Sequence, residues 1–186
     1  SPVSSIEILK WPGVLQAPQI DLEQLETTAM SLLEETLQQL VENRQREGER
    51  LQELIKQRAD GIQQQLNLIR QRMPQVRDTI KSRLQLKLAE LSEIFDHSRL
   101  EQEALLLVQK SDIDEELDRL DAHLKELTYI FNQGGPCGRR LDFLMQEFNR
   151  EANTIASKAA DKEITHAAVE LKVLIEQARE QIQNIE

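Results

Sequence analysis

Three features of the sequence predict an all-α fold: helix formers dominate, apolar residues recur every three or four positions, and strand formers rarely alternate with polar ones. Leu, Gln, Glu, Lys, Arg and Ala are the prevailing residues of the 186, aromatics are 3%, and there are only six Gly and five Pro. Such residues cost little to place in a helix, and the recurrence marks faces that a helix can bury. An apolar content of 39% suffices for one domain with an extended helical arm. The expected architecture is a long helical hairpin arm packed on or extending from a smaller helical body.

Residues 1–20 read as a connector, with Pro2, Pro12 and Pro18 around one short apolar stretch. The chain opens on Ser1, so the connector is expected to follow an N-terminal domain upstream. Residues 21–97 form the expected arm. Leu22, Leu25, Ala29, Leu32, Leu33, Leu37, Leu40 and Val41 begin its stripe, which resumes at Leu51, Leu54, Ile55, Ile62, Leu66, Ile69 and Met73. Gly48 and Gly61 weaken that run by about 1 kcal/mol each without changing its phase. Pro74 lacks an amide hydrogen and is expected to stop or kink the helix. Val76, Ile80, Leu84, Leu88, Leu91 and Phe95 then define an antiparallel return helix, which makes the αα-hairpin.

Residues 98–186 form the expected body. Ser98 and Ser111 are candidate N-caps, and Asp112, Asp114 and Glu115 suit the positive end of a helix dipole. One helix should run from Asp112 to about Phe131. The stretch 132–138, NQGGPCG, is the clearest loop, because Gly134, Gly135 and Pro136 cannot continue a helix. Further helices are expected from Gly138 to about Ile155 and from Asp161 to Ile185. The last has apolar residues on two sides, Val169 and Val173 lying apart from the main stripe, which suits burial or a subunit interface.

The net charge of -10 argues against a chain that coats nucleic acid or an anionic membrane over its whole surface. From Arg44 to Lys87, however, eleven Lys/Arg meet five Asp/Glu, a local excess of +6. That basic stretch has no aromatic residues, so it suits phosphate contacts better than base stacking, although long exposed helices often carry Lys and Arg. The single cysteine, Cys137, excludes an intrachain disulfide and suits a reducing compartment. No apolar run is long enough to span a bilayer and no signal pattern opens the chain, so a cytoplasmic address and no membrane partner are expected.

Two polar faces stand out. On the helix after Gly138, Leu141, Leu144, Met145, Phe148, Ala152 and Ile155 share the core side. Arg139, Asp142, Gln146, Arg150 and Asn153 gather opposite, with Arg140, Glu147 and Glu151 at the edge. Asp and Asn are poor helix formers, while guanidinium and carboxamide groups suit directional bonds to phosphate or carboxylate. An interhelical polar network would use the same residues. In residues 112–124, Asp112, Glu116, Arg119 and His123 stack along one ridge at spacings of four, three and four. Carboxylates and an imidazole there could hold a divalent metal or exchange protons near neutral pH, or could simply form surface ion pairs. Phosphate-binding Gly-rich loops, HExxH, paired cysteines and GxSxG are all absent from the sequence.

The segments ILKWPGVL (8–15), DIDEELDRLDAHL (112–124), GRRLDFLMQEFNREANTIASK (138–158) and VELKVLIEQAREQIQNIE (169–186) resemble, in this order, the C-terminal portion of bacterial YicC-like endoribonucleases. The resemblance implies a further N-terminal region, cleavage of RNA rather than DNA, a homo-oligomer of hexameric form, and a divalent cation such as Mn2+ or Mg2+. On that footing Arg119, Arg139, Arg140, Arg150 and Lys158 are the candidate RNA contacts. Asp112, Glu116 and Asp142 are the candidate metal ligands, with Glu116, His123, Asp142 and Glu147 as the catalytic set. His123 is the candidate acid or base. The alternative is a helical oligomerisation and RNA-binding module whose chemistry needs the N-terminal domain.

Overall fold

The computed structural model of the chain describes residues 4–14, 21–91 and 112–183, with side chains through residue 87 in the second stretch. Five helices and no strands occur among them: α1 Ser5–Leu9, α2 Leu22–Leu91, α3 Asp114–Gln133, α4 Gly138–Lys158 and α5 Lys162–Ile182. The all-α class is therefore as the sequence implies. No helix among the described residues is long and apolar enough to cross a membrane. Ser98, Ser111, Phe95 and Ile185 lie outside the described residues.

The chain divides into two compact units, Ser1–Arg46 and Glu47–Glu186. The first contains α1 and the start of α2, where Asp21 caps the helix by accepting from the amides of Glu23 and Gln24, both at 3.1 Å. Every described residue of this unit is exposed.

In the second unit the later part of α2 and helices α3, α4 and α5 share one core. Ile55, Ile62, Leu66, Ile69 and Met73 of α2 are buried in it, as the stripe requires. So are Leu117, Leu120 and Leu124 of α3, and Leu141, Phe148 and Ile155 of α4. Each such side chain contributes about 1.5–3 kcal/mol when fully buried. Helix α4 packs on both α3 and α5. The α3–α4 turn uses Gly134 and Gly135 at φ of 67° and 82°, a region that favours glycine, and so brings the two helices back antiparallel. Asp161 caps α5, its Oδ1 accepting from Glu163 N at 3.0 Å and Ile164 N at 3.3 Å.

One expectation is corrected. The reversal at Pro74 does not occur: α2 runs through the proline to Leu91, so the residues after it extend the same helix instead of forming a hairpin. A proline inside a helix costs about 3 kcal/mol. Packing offsets that, since Met73 and Val76 on either side are both buried and Ile80 packs against the same core.

The basic stretch is partly consumed by folding. Arg70 pairs with Asp118 at 2.8 Å and Asp121 at 2.6 Å, Arg72 with Asp161 and Glu163 at 3.2 Å each, and Arg77 with Asp112 at 3.3 Å and Asp114 at 2.5 Å. Exposed pairs of this kind contribute little each, about 1 kcal/mol at most, but they fix how α2 lies along α3 and the α4–α5 turn.

Candidate active site

The ridge of α3 meets one edge of α4, and because the helices are antiparallel the contacts form a polar seam along their length. At one end Lys158 Nζ donates to Glu116 Oε1 at 2.7 Å and to the backbone carbonyl of Asp112 at 3.0 Å. Next, Arg119 bridges Glu115 at 2.5 Å and Glu151 at 3.2 Å. At the far end Arg140 binds Glu126 at 2.5 Å and Gln133 at 3.0 Å, with its guanidinium 5.6 Å from the Tyr129 ring centre. Hydrogen bonds donated to Glu151 and then Glu115 hold the Arg119 guanidinium above its ordinary pKa, so it stays charged.

His123 lies between these cation sites. Its ring is half-buried and tilted against Phe148, centroids 5.5 Å apart, which fixes its place over the α4 core face. One ligand atom each from His123, Glu147 and Glu151 lie within 4.8 Å of one another. Glu151 is 4% exposed, and His123 Nε2 is shielded from solvent with no hydrogen-bond partner. A buried nitrogen without a partner is costly, and two carboxylates brought together repel. A divalent cation would pair with that nitrogen and with both carboxylates, each of which also has an arginine beside it, Arg119 at 3.2 Å from Glu151 and Arg150 at 3.9 Å from Glu147. Small rotations of the three side chains would bring these ligand atoms to the closer spacing that a divalent cation needs.

The other candidates sit elsewhere. Asp142 occupies the opposite edge of α4, where it accepts from Arg179 of α5 at 3.4 Å and from Gln146 at 2.9 Å. Asp112 is exposed, pairs with Arg77 and accepts from the Asp114 amide at 3.1 Å. Glu116 is buried against Lys158, and its Oε2 has no partner. The structure thus does not assemble Asp112, Glu116 and Asp142 into one ligand group. It brings His123 and Glu147 together and adds Glu151. The four-residue steps from Arg119 to His123 and from Glu147 to Glu151 were the available signal. Arg139 and Arg150 are exposed on the outer side of α4, with Arg150 3.9 Å from Glu147.

Fold and seam together define an all-helical protein with an imidazole–carboxylate cluster flanked by three cations, Lys158, Arg119 and Arg140. The chain belongs to the YicC-like endoribonuclease family. Residues 69–186 match the family described as "Endoribonuclease YicC-like, C-terminal", and residues 1–53 match its N-terminal region. The chain is 45% identical over 184 residues to a protein of Haemophilus influenzae named "Probable endoribonuclease YicC". It is 35% identical over 189 residues to one of Clostridioides difficile with the same name. Each alignment covers 99% of this chain but 64% of the relative, so the chain spans under two thirds of their length.

Proposed function

We propose that this chain belongs to an endoribonuclease that hydrolyses RNA phosphodiester bonds at the α3–α4 seam. His123, Glu147 and Glu151 would hold a divalent cation, Mn2+ or Mg2+. A cation bound there supplies charge neutralisation at the phosphate and a stronger nucleophile from water. The rest falls to the chain's own residues. Lys158 spends two of its three N–H donors on Glu116 and the Asp112 carbonyl, which leaves one for a phosphate oxygen. Arg119 presents a charged planar fork beside the cluster, and Arg140, Arg139 and Arg150 continue the cationic track along α4. Glu116 positions Lys158, and Asp142 positions Arg179.

The observation that carries this reading is the partnerless buried Nε2 of His123 beside two carboxylates. Phe143 of α4 and Val169 and Val173 of α5 are exposed apolar side chains that a homo-oligomer would cover, and the lone Cys137 fits a cytoplasmic address. The test is cleavage of end-labelled RNA with Mn2+, with Mg2+ and with chelator, by the chain and by its H123A, E147Q and E151Q variants. The expected result is metal-dependent cleavage reduced by about 10–100-fold or more in each variant. Cleavage that survives all three substitutions with the fold intact removes the cluster from the chemistry. RNA binding without cleavage by the unmodified chain supports the alternative, a binding and assembly module whose catalysis needs the N-terminal region.

A further inference from the structure

The first unit has helical faces but no buried residue among those described. Leu25, Leu32, Leu33, Leu37 and Leu40 of α2 recur at the spacing of one helix side, and each is more than half exposed. The same kind of stripe farther along α2 is buried from Leu51 onward. A contiguous apolar face of this length marks an interaction surface.

Its charge narrows the occupant. Asp21, Glu23, Glu26, Glu34, Glu35 and Glu42 accompany the face, and no Lys or Arg occurs between Trp11 and Asn43. Two copies meeting there would set like charges against each other, and a nucleic acid would be repelled. Residues 1–53, which contain the whole face, match only the N-terminal region of the family, and about a third of the relatives' length lies outside this chain. We propose that the face formed by residues 22–41 seats the remainder of that N-terminal region, within one polypeptide, through an apolar surface rimmed by Lys and Arg. The unit is then one edge of a domain whose core forms across this helix.

The test is hydrogen exchange of residues 22–41 in three samples: the 186-residue chain dilute, the same chain concentrated, and the chain joined upstream to the remaining N-terminal region of the Haemophilus influenzae relative. The expected result is exchange slowed by about tenfold or more only in the joined protein, at both concentrations. L33E/L37E in the joined protein should restore fast exchange there while leaving α3–α5 protected. Protection that rises with concentration in the chain alone assigns the face to a second copy and overturns the proposal. So does a joined protein whose added region shows its own protected amides while 22–41 stay unprotected. The full-length relative repeats the comparison without an artificial junction, and fast exchange along its matching helix would also overturn it.

Discussion

Replacing Lys158 by Met should destabilise the second unit far more than an ordinary surface change. The Glu116 side chain is 8% exposed, its Oε1 is held by Lys158 at 2.7 Å and its Oε2 has no partner. Removing the ammonium leaves a carboxylate buried without compensation, which costs about 3–5 kcal/mol in comparable pairs. The Lys158 side chain is 31% exposed, so water partly replaces it and the lower end applies, about 3 kcal/mol. That is about a hundredfold in the folding equilibrium. For a protein of this size it corresponds to a fall in Tm of about 6–12 °C. Urea denaturation followed by circular dichroism measures it. The control is E116L/K158M, which removes both charges and should cost clearly less than K158M alone. A K158M variant within about 0.5 kcal/mol of the parent would refute the reasoning, as would a double variant at least as unstable as K158M.

Two other outcomes follow from single residues. Pro74 is exposed within a continuous α2, so Pro74→Ala should stabilise the unit by about 2 kcal/mol, the helix penalty less the entropy that proline removes from the unfolded chain; destabilisation in urea would show that the proline does not sit in a helix interior. Asp161 is held below its ordinary pKa of 3.8 by the Arg72 hydrogen bond, and less strongly by the amides of Ile164 and Glu163, against an opposing effect of burial. Its folded pKa lies below the unfolded one, so its contribution is complete above 3.8 and lost as pH falls through the depressed folded value. Asp161→Asn, which can still cap α5, should flatten the acid limb of stability against pH; an unchanged acid limb counts against the Arg72 pair.

The helical period made the core side of α4 legible, since Leu141, Leu144, Met145, Phe148, Ala152 and Ile155 are all buried. It gives angles around one helix, however, and not the neighbour that each edge meets. Asp142 and Glu151 flank that core side on opposite edges, and only the packing shows that one faces Arg179 of α5 and the other Arg119 of α3. At Pro74 the local helix penalty is visible in the sequence, but the burial of Met73 and Val76 that outweighs it depends on the packing of α2 against the other helices. Arg70, Arg72 and Arg77 suited phosphate by type, but their partners are Asp118, Asp121, Asp161, Glu163, Asp112 and Asp114, far away in sequence.

The most direct measurement is Mn2+ binding to the 186-residue chain by electron paramagnetic resonance, with E147Q, E151Q, H123A, D112N and D142N beside the parent. If His123, Glu147 and Glu151 hold the cation, affinity falls by about 10–100-fold in the first three variants and stays at the parental value in D112N and D142N. Binding that survives E147Q and E151Q, or that disappears in D142N, would contradict the placement of the metal at the α3–α4 seam.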